Sequence, residues 1–243
     1  MIKLASACVL VMAAGASAQV IDFETTPGGM TPVDDMALDR TAMYVSDGVG
    51  VSFGFDTDND GIADTDAVFE QRGGQNGPPD GYVSTLGPGN VDTEAPAFAG
   101  QLGEFFLRTP NDFSNNNDPQ PFVITYDTAV AGVSGEIWDI DARTNGTFEQ
   151  WRVRGFNAMG DVVATQDSPV GINENLPGTL DSAPWTFALA SDQGIARVTI
   201  EYIGDATGVG LAFDNYNATA VPTPAGAAAF GLLGLGAMRR RRR

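Results

Sequence analysis

Short apolar runs rich in Val, Ile, Phe, Tyr and Trp recur along the middle of this chain, separated by clusters of Gly, Pro, Asn and Asp. No amphipathic helix is evident there, so the pattern predicts an all-β fold. The clearest strands are residues 20–24, 49–55, 103–108, 121–126, 132–140, 150–157, 162–166, 185–189, 196–203 and 209–215. Alternation is cleanest in 196–203, where Val198, Ile200 and Tyr202 share one face and Arg197, Thr199 and Glu201 point to solvent. Trp151 and Val153 likewise oppose Arg152 and Arg154. One dry face and one wet face per strand predicts antiparallel sheets packed face to face, a jelly-roll-like β-sandwich. Residues 75–93 and 111–119 are too polar and too rich in Gly, Pro and Asn for strands. They are expected to be surface loops, where binding groups concentrate.

Two segments break the pattern. Residues 1–18 hold Lys3, an apolar stretch over 4–14 and the small residues Ala16, Ser17 and Ala18, which reads as a secretory signal peptide with its cleavage site. Cys8, the one cysteine, falls inside it with too few residues ahead for a lipidation site, so the mature chain has no disulfide and no thiol nucleophile. At the other end Val221, Pro222, Thr223 and Pro224 precede an uncharged Gly/Ala/Leu-rich run over 225–238. The chain closes on Arg239, Arg240, Arg241, Arg242 and Arg243. As a helix that run would rise about 21 Å against a hydrocarbon core of about 30 Å. Arginines that snorkel to the headgroups make up the difference and mark the cytoplasmic side.

This ending resembles the PEP-CTERM sorting signal of Gram-negative bacteria, a Val-Pro-Glu-Pro-like motif, a Gly/Leu/Ala-rich helix and an arginine cluster, with Thr223 where that family usually has glutamate. The resemblance implies recognition by an exosortase-like membrane protease and transient inner-membrane insertion through the C-terminal helix. It further implies delivery to the cell surface or the exopolysaccharide matrix. The expected organisation is a signal peptide (1–18), one β-sandwich domain (19–218) and a sorting signal (219–243).

Charge narrows the function. Lys3 and the five terminal arginines account for six of the 13 basic residues, leaving seven arginines against 31 acidic residues and a mature charge of −24. Such a surface repels phosphate backbones, so no nucleic-acid partner is expected. With no histidine and no mature cysteine, Ser-His-Asp triads, Cys-His pairs and histidine-ligated zinc are all excluded. Carboxylate chemistry and oxygen-ligated cations remain.

The densest acidic motif runs from Asp56 through Asp58, Asp60, Gly61, Ile62 and Asp64 to Asp66. Carboxylates at alternate positions, turned by a glycine, can wrap one hard cation. The motif resembles the calcium loops of EF-hand, dockerin and thrombospondin-repeat proteins. That likeness implies Asp56, Asp58, Asp60, the Ile62 carbonyl and Asp64 as ligands of Ca²⁺. Its last position holds Ala67 instead of a bidentate acid, so Asp66 or Glu70 would have to substitute; an acidic turn without an ion is the other reading. Near the two ends of the domain, Phe23-Glu24 and Phe213-Asp214-Asn215 resemble the first and last strands of MAM-type and carbohydrate-binding jelly rolls. There the likeness implies an ion between neighbouring strands, held here by Glu24 and Asp214; two solvent-facing acids are the alternative.

A catalytic pair is not expected. Glu136 and Trp138 share one face of their strand while Asp139 and Asp141 lie on the other, so Glu136 and Asp139 cannot serve as the nucleophile and acid of a retaining glycosidase on a regular strand. Trp151 reads as core, whereas Tyr82, in a Gly/Pro loop, is the candidate platform for a sugar ring. The reading that results is a non-enzymatic, calcium-stabilised surface or matrix protein that binds exopolysaccharide. A carboxylate-dependent glycan hydrolase or lyase, and a structural coat component without a specific ligand, are the alternatives.

Overall fold

The computed structural model describes residues 19–72, 95–110, 119–142, 146–173, 183–207 and 209–221. Among them the chain is all-β, as the alternation predicts. In chain order the strands are β1 (Met36–Leu38), β2 (Tyr44–Ser46), β3 (Val49–Phe55), β4 (Thr65–Gln71), β5 (Phe105–Arg108) and β6 (Phe122–Trp138). They continue with β7 (Asp141–Ala142), β8 (Trp151–Phe156), β9 (Val162–Asp167), β10 (Ile172–Asn173), β11 (Trp185–Tyr202) and β12 (Ala212–Ala220). The main sheet runs β2-β3-β4-β5-β12-β6-β11-β8-β9 with β1 beside β4. A further β3–β6 pairing closes β3, β4, β5, β12 and β6 into a barrel. β7 and β10 pair separately, in parallel.

The long strands β6 and β11 belong to both layers. The first part of β6, 122–126, lies between β3 and the end of β11, whereas 130–138 lies between β12 and the start of β11. Register shifts in β11 between Ala190 and Arg197 mark the bend, since an unpaired residue kinks and twists a strand locally. Between the layers sits an aromatic core of Phe23, Phe53, Phe122, Phe213 and Tyr216, each at most 1% exposed. Phe122 and Phe213 meet at 4.9 Å, and Phe53 meets Tyr216 edge-on at 5.3 Å.

Several expectations change in detail. The runs 121–126 and 132–140 form one strand, as do 185–189 and 196–203, because both flanks of each polar link pair with the same partner. Shared partners outrank local composition in a sheet. Residues 20–24 make only a single bridge, Ile21 to Tyr216, before the chain turns at Phe23 with φ 56°. Thr199, read as solvent-facing, is 4% exposed and lines a cleft beneath the acidic turn 56–61. The signal-peptide and sorting-signal segments, the expected C-terminal helix, loop 75–93 with Tyr82 and nearly all of loop 111–119 lie outside the described residues. Among those described, no helix is long and apolar enough to cross a membrane.

Candidate metal and ligand sites

The acidic motif is the connection between β3 and β4. Asn59 and Gly61 take left-handed backbone angles, φ 62° and 86°, which coil the turn tightly. Asp56, 2% exposed, sits at its centre: one carboxylate oxygen accepts from the Asp60 amide and the other from the Gly61 amide at 2.7 Å. Asp58 also accepts from the Asp60 amide, and Asp60 accepts from the Ile62 amide. Asp64 closes the turn by accepting the amide and hydroxyl of Thr57. Oxygens of Asp56, Asp58 and Asp64 come within 4.8 Å of one another, a spacing that fits a hard cation.

The titration of these acids reflects the crowding. The Thr57 hydroxyl holds Asp64 below the usual carboxylate range. For Asp58, which is exposed, the Asp60 amide acts in the same direction, but slight desolvation and the nearby acids outweigh it and the net shift is upward. Asp66 is not part of this group. It opens β4 and accepts from the amide and guanidinium of Arg40, both at 3.1 Å. Ile62 is 64% exposed and Ala67, at the closing position of the motif, is buried in β4.

The second candidate lies on the outer face of β6 and β12. Asp214 stands directly opposite Glu136, and Ala212 opposite Trp138. The segment 96–102 roofs this face, packing Phe98 edge-on against Trp138 at 6.3 Å. Asp214 is therefore 1% exposed, and neither carboxylate oxygen has a hydrogen-bond partner among the described residues. Burial lifts it well above the usual carboxylate range; the adjacent Asn215 amide, outside good hydrogen-bond geometry, offsets this in part, while the charges of Glu136, Asp22 and Glu24 reinforce it. A bulge at Asn215, φ 51°, returns Tyr216 to the core while leaving Asp214 outside it.

Glu24 approaches from the first segment, but its Oε1 already accepts the amides of Glu104 (2.6 Å) and Phe105 (3.1 Å). Glu136 accepts the side-chain amides of Gln101 at 2.7 Å and Asn215 at 3.0 Å. From the sequence alone Glu136 stands out only as a candidate catalytic acid. The signal that could have linked it to Asp214 is its spacing from Trp138, since both share the face that Ala212 and Asp214 present.

A third acidic group, Asp34, Asp35 and Glu70, has a cation of its own. The Arg108 guanidinium donates to Glu70 at 2.5 Å, to Asp35 and to the Thr109 carbonyl at 2.8 Å. Glu70 is thereby engaged elsewhere and far from completing the acidic turn. Of the sorting motif only Val221 is described, 45% exposed; Pro222, Thr223, Pro224 and the arginine tail lie outside.

No protein-family profile matches the chain, and no curated protein matches it. Among solved structures it is similar to the enzymatically active domain of a tailspike protein from bacteriophage CBA120, with 15% identity and a TM-score of 0.25 over 70% of this chain. A glycoside hydrolase family 43 arabinoxylan arabinofuranohydrolase from Bacillus subtilis overlaps 79% of it at 12% identity and a TM-score of 0.23. The chain spans 18% and 29% of the lengths of these two proteins. A xylan-binding domain from Paenibacillus barcinonensis overlaps 86% of the chain and is itself covered in full, at 10% identity and a TM-score of 0.26.

Proposed function

We propose that this chain is an exported, non-catalytic, glycan-binding β-sandwich stabilised by calcium, sorted by an exosortase-like protease and retained at the cell surface or in the exopolysaccharide matrix. The observation that carries the reading is Asp214. A carboxylate buried to 1% exposure with no well-placed hydrogen-bond donor among the described residues, facing Glu136 with Asp22 and Glu24 nearby, is costly to keep ionised. A hard divalent cation shared with these oxygens removes that cost, and an all-oxygen donor set suits Ca²⁺. The turn at Asp56, Asp58 and Asp64 offers a second, more exposed place for the same ion.

The non-catalytic part rests on access. Glycoside hydrolysis needs two acids flanking an open bond, about 5–5.5 Å or 6.5–9.5 Å apart. Asp214 is covered by its roof, and both oxygens of Glu136 are held by amides. Neither meets a polymer.

Thermal unfolding in calcium and in chelator tests the reading. A native-state ligand at a hundredfold excess over its Kd adds about 2.7 kcal/mol. Asp214→Asn, which keeps the shape and removes the charge, is expected to fold and to lose most of the calcium response. A response that survives Asp214→Asn but vanishes in Asp58→Asn would move the ion to the turn. Identical melting in calcium and chelator would remove calcium from the reading altogether.

A further inference from the structure

We propose that the cleft between the acidic turn and the outer face of β8 and β11 is the seat of the glycan, and that its ligand is a neutral pyranose chain. The inference rests on the glycan-binding reading above and gives it a location. The floor is set by strand alternation. Val198 and Ile200 point into the core, so Arg197, Thr199 and Glu201 line the opposite face, with Phe156 of β8 directly across from Arg197. The turn 56–61 forms one wall and residues 119–121 another, enclosing about 460 Å³. That volume falls within the range of about 300–1,000 Å³ that small-ligand sites occupy.

Gly61 lets the turn pack closely on this face. A Cβ there would lie 2.7 Å from Nη1 of Arg197, and φ of 86° disfavours any side chain. Arg197 in turn stacks 4.5 Å above the Phe156 ring and donates to the Gly61 carbonyl, which joins the wall to the floor. Glu201 accepts from the Thr199 hydroxyl at 2.8 Å and pairs with Arg154 at 3.2 Å. The lining is thus held before any ligand arrives, which lowers the ordering cost of binding.

Charge selects the ligand class. The cleft holds one guanidinium, that of Arg197, which stacks on Phe156 and donates to the Gly61 carbonyl, while Arg154 beside it pairs with Glu201. Against that one guanidinium the described lining sets three carboxylates, those of Asp56, Asp60 and Glu201, so the net charge of the cleft is negative. Such a surface accepts hydrogen bonds from hydroxyl groups and repels phosphates, sulfates and uronates, the more so in a domain of charge −24. A hydroxyl-rich, uncharged sugar chain meets both conditions.

The test is NMR titration of the isotope-labelled, processed protein with neutral hexasaccharides of glucose, xylose and mannose and with a hexauronate, each with and without calcium. The expected result is binding of a neutral hexasaccharide with shifts at the Gly61, Phe156 and Thr199 amides. Affinity should fall at least tenfold in Glu201→Gln and in Phe156→Leu. The first keeps side-chain shape, so it stays informative if the second melts early. Undiminished binding in Glu201→Gln, with shifts elsewhere, overturns the cleft while glycan binding stands. Binding of the hexauronate alone overturns the neutral class, and no binding by any member of the panel ends the glycan reading and the cleft with it.

Discussion

In a chain with so few cations, one arginine, Arg108, serves two acids at once. Arg108 and Glu70 are buried, with side chains 9% and 8% exposed and Asp35 at the rim. Burial pushes Glu70 above its usual range, and the guanidinium only partly brings it back. Removing the cation therefore leaves a buried acid with nothing to balance it. Arg108→Met is expected to cost about 3–5 kcal/mol in denaturant unfolding, and Arg108→Met with Glu70→Leu should recover most of that loss, because an apolar pair carries no desolvation penalty. At this scale the sequence revealed composition more readily than pairing. Asp214 could be picked out beside Phe213 and Asn215 near the end of the domain. Nothing local could say that Asp66 would turn to Arg40 or that Glu24 would be spent on the backbone of β5, since those partners lie 26 and about 80 residues away.

The elements were legible where alternation was strong and illegible where tertiary pairing did the work. β3 and β8 lie where Val, Phe and Trp alternate or cluster between turn residues. β4 opens with Thr-Asp-Ala, and β6 runs through Asp127 and Thr128, which local pattern assigns to loops. β4 is a strand because β1, β3 and β5 flank it and complete its hydrogen bonds, whereas Asp127 and Thr128 fall where β6 changes partners and are carried by the paired segments on either side. Close approach within the long strands also leaves a mark in the sequence. A Cβ on Gly135 of β6 would lie 2.9 Å from ring atoms of both Phe187 and Phe213. Gly135→Ala is expected to lower stability by about 1–3 kcal/mol, seen as a lower denaturant midpoint at unchanged slope. Gly132→Ala, whose added carbon would meet the Leu189 carbonyl at 3.3 Å, should cost less.

For the whole molecule, the proposed export and sorting signals make their own prediction. Mass spectrometry of the exported protein should show an N-terminus at Gln19 and loss of the residues after about Pro224. Matrix-associated protein that still carried Arg239 to Arg243 would refute exosortase processing. The two ends of the described chain also meet in space. Ser46 Oγ donates to the Gln19 carbonyl at 2.8 Å and accepts the Ala218 amide at 3.1 Å, while the neighbouring Asp47 accepts the Ala220 amide at 3.0 Å. Both ends are thereby fastened to the β2–β3 hairpin. From that hairpin β3 runs seven residues, about 20 Å, to the acidic turn at its far end. A chain moored through its C-terminal tail would be moored by the hairpin pole. The turn and its cleft would then stand at the outboard pole, facing whatever polymer surrounds the cell.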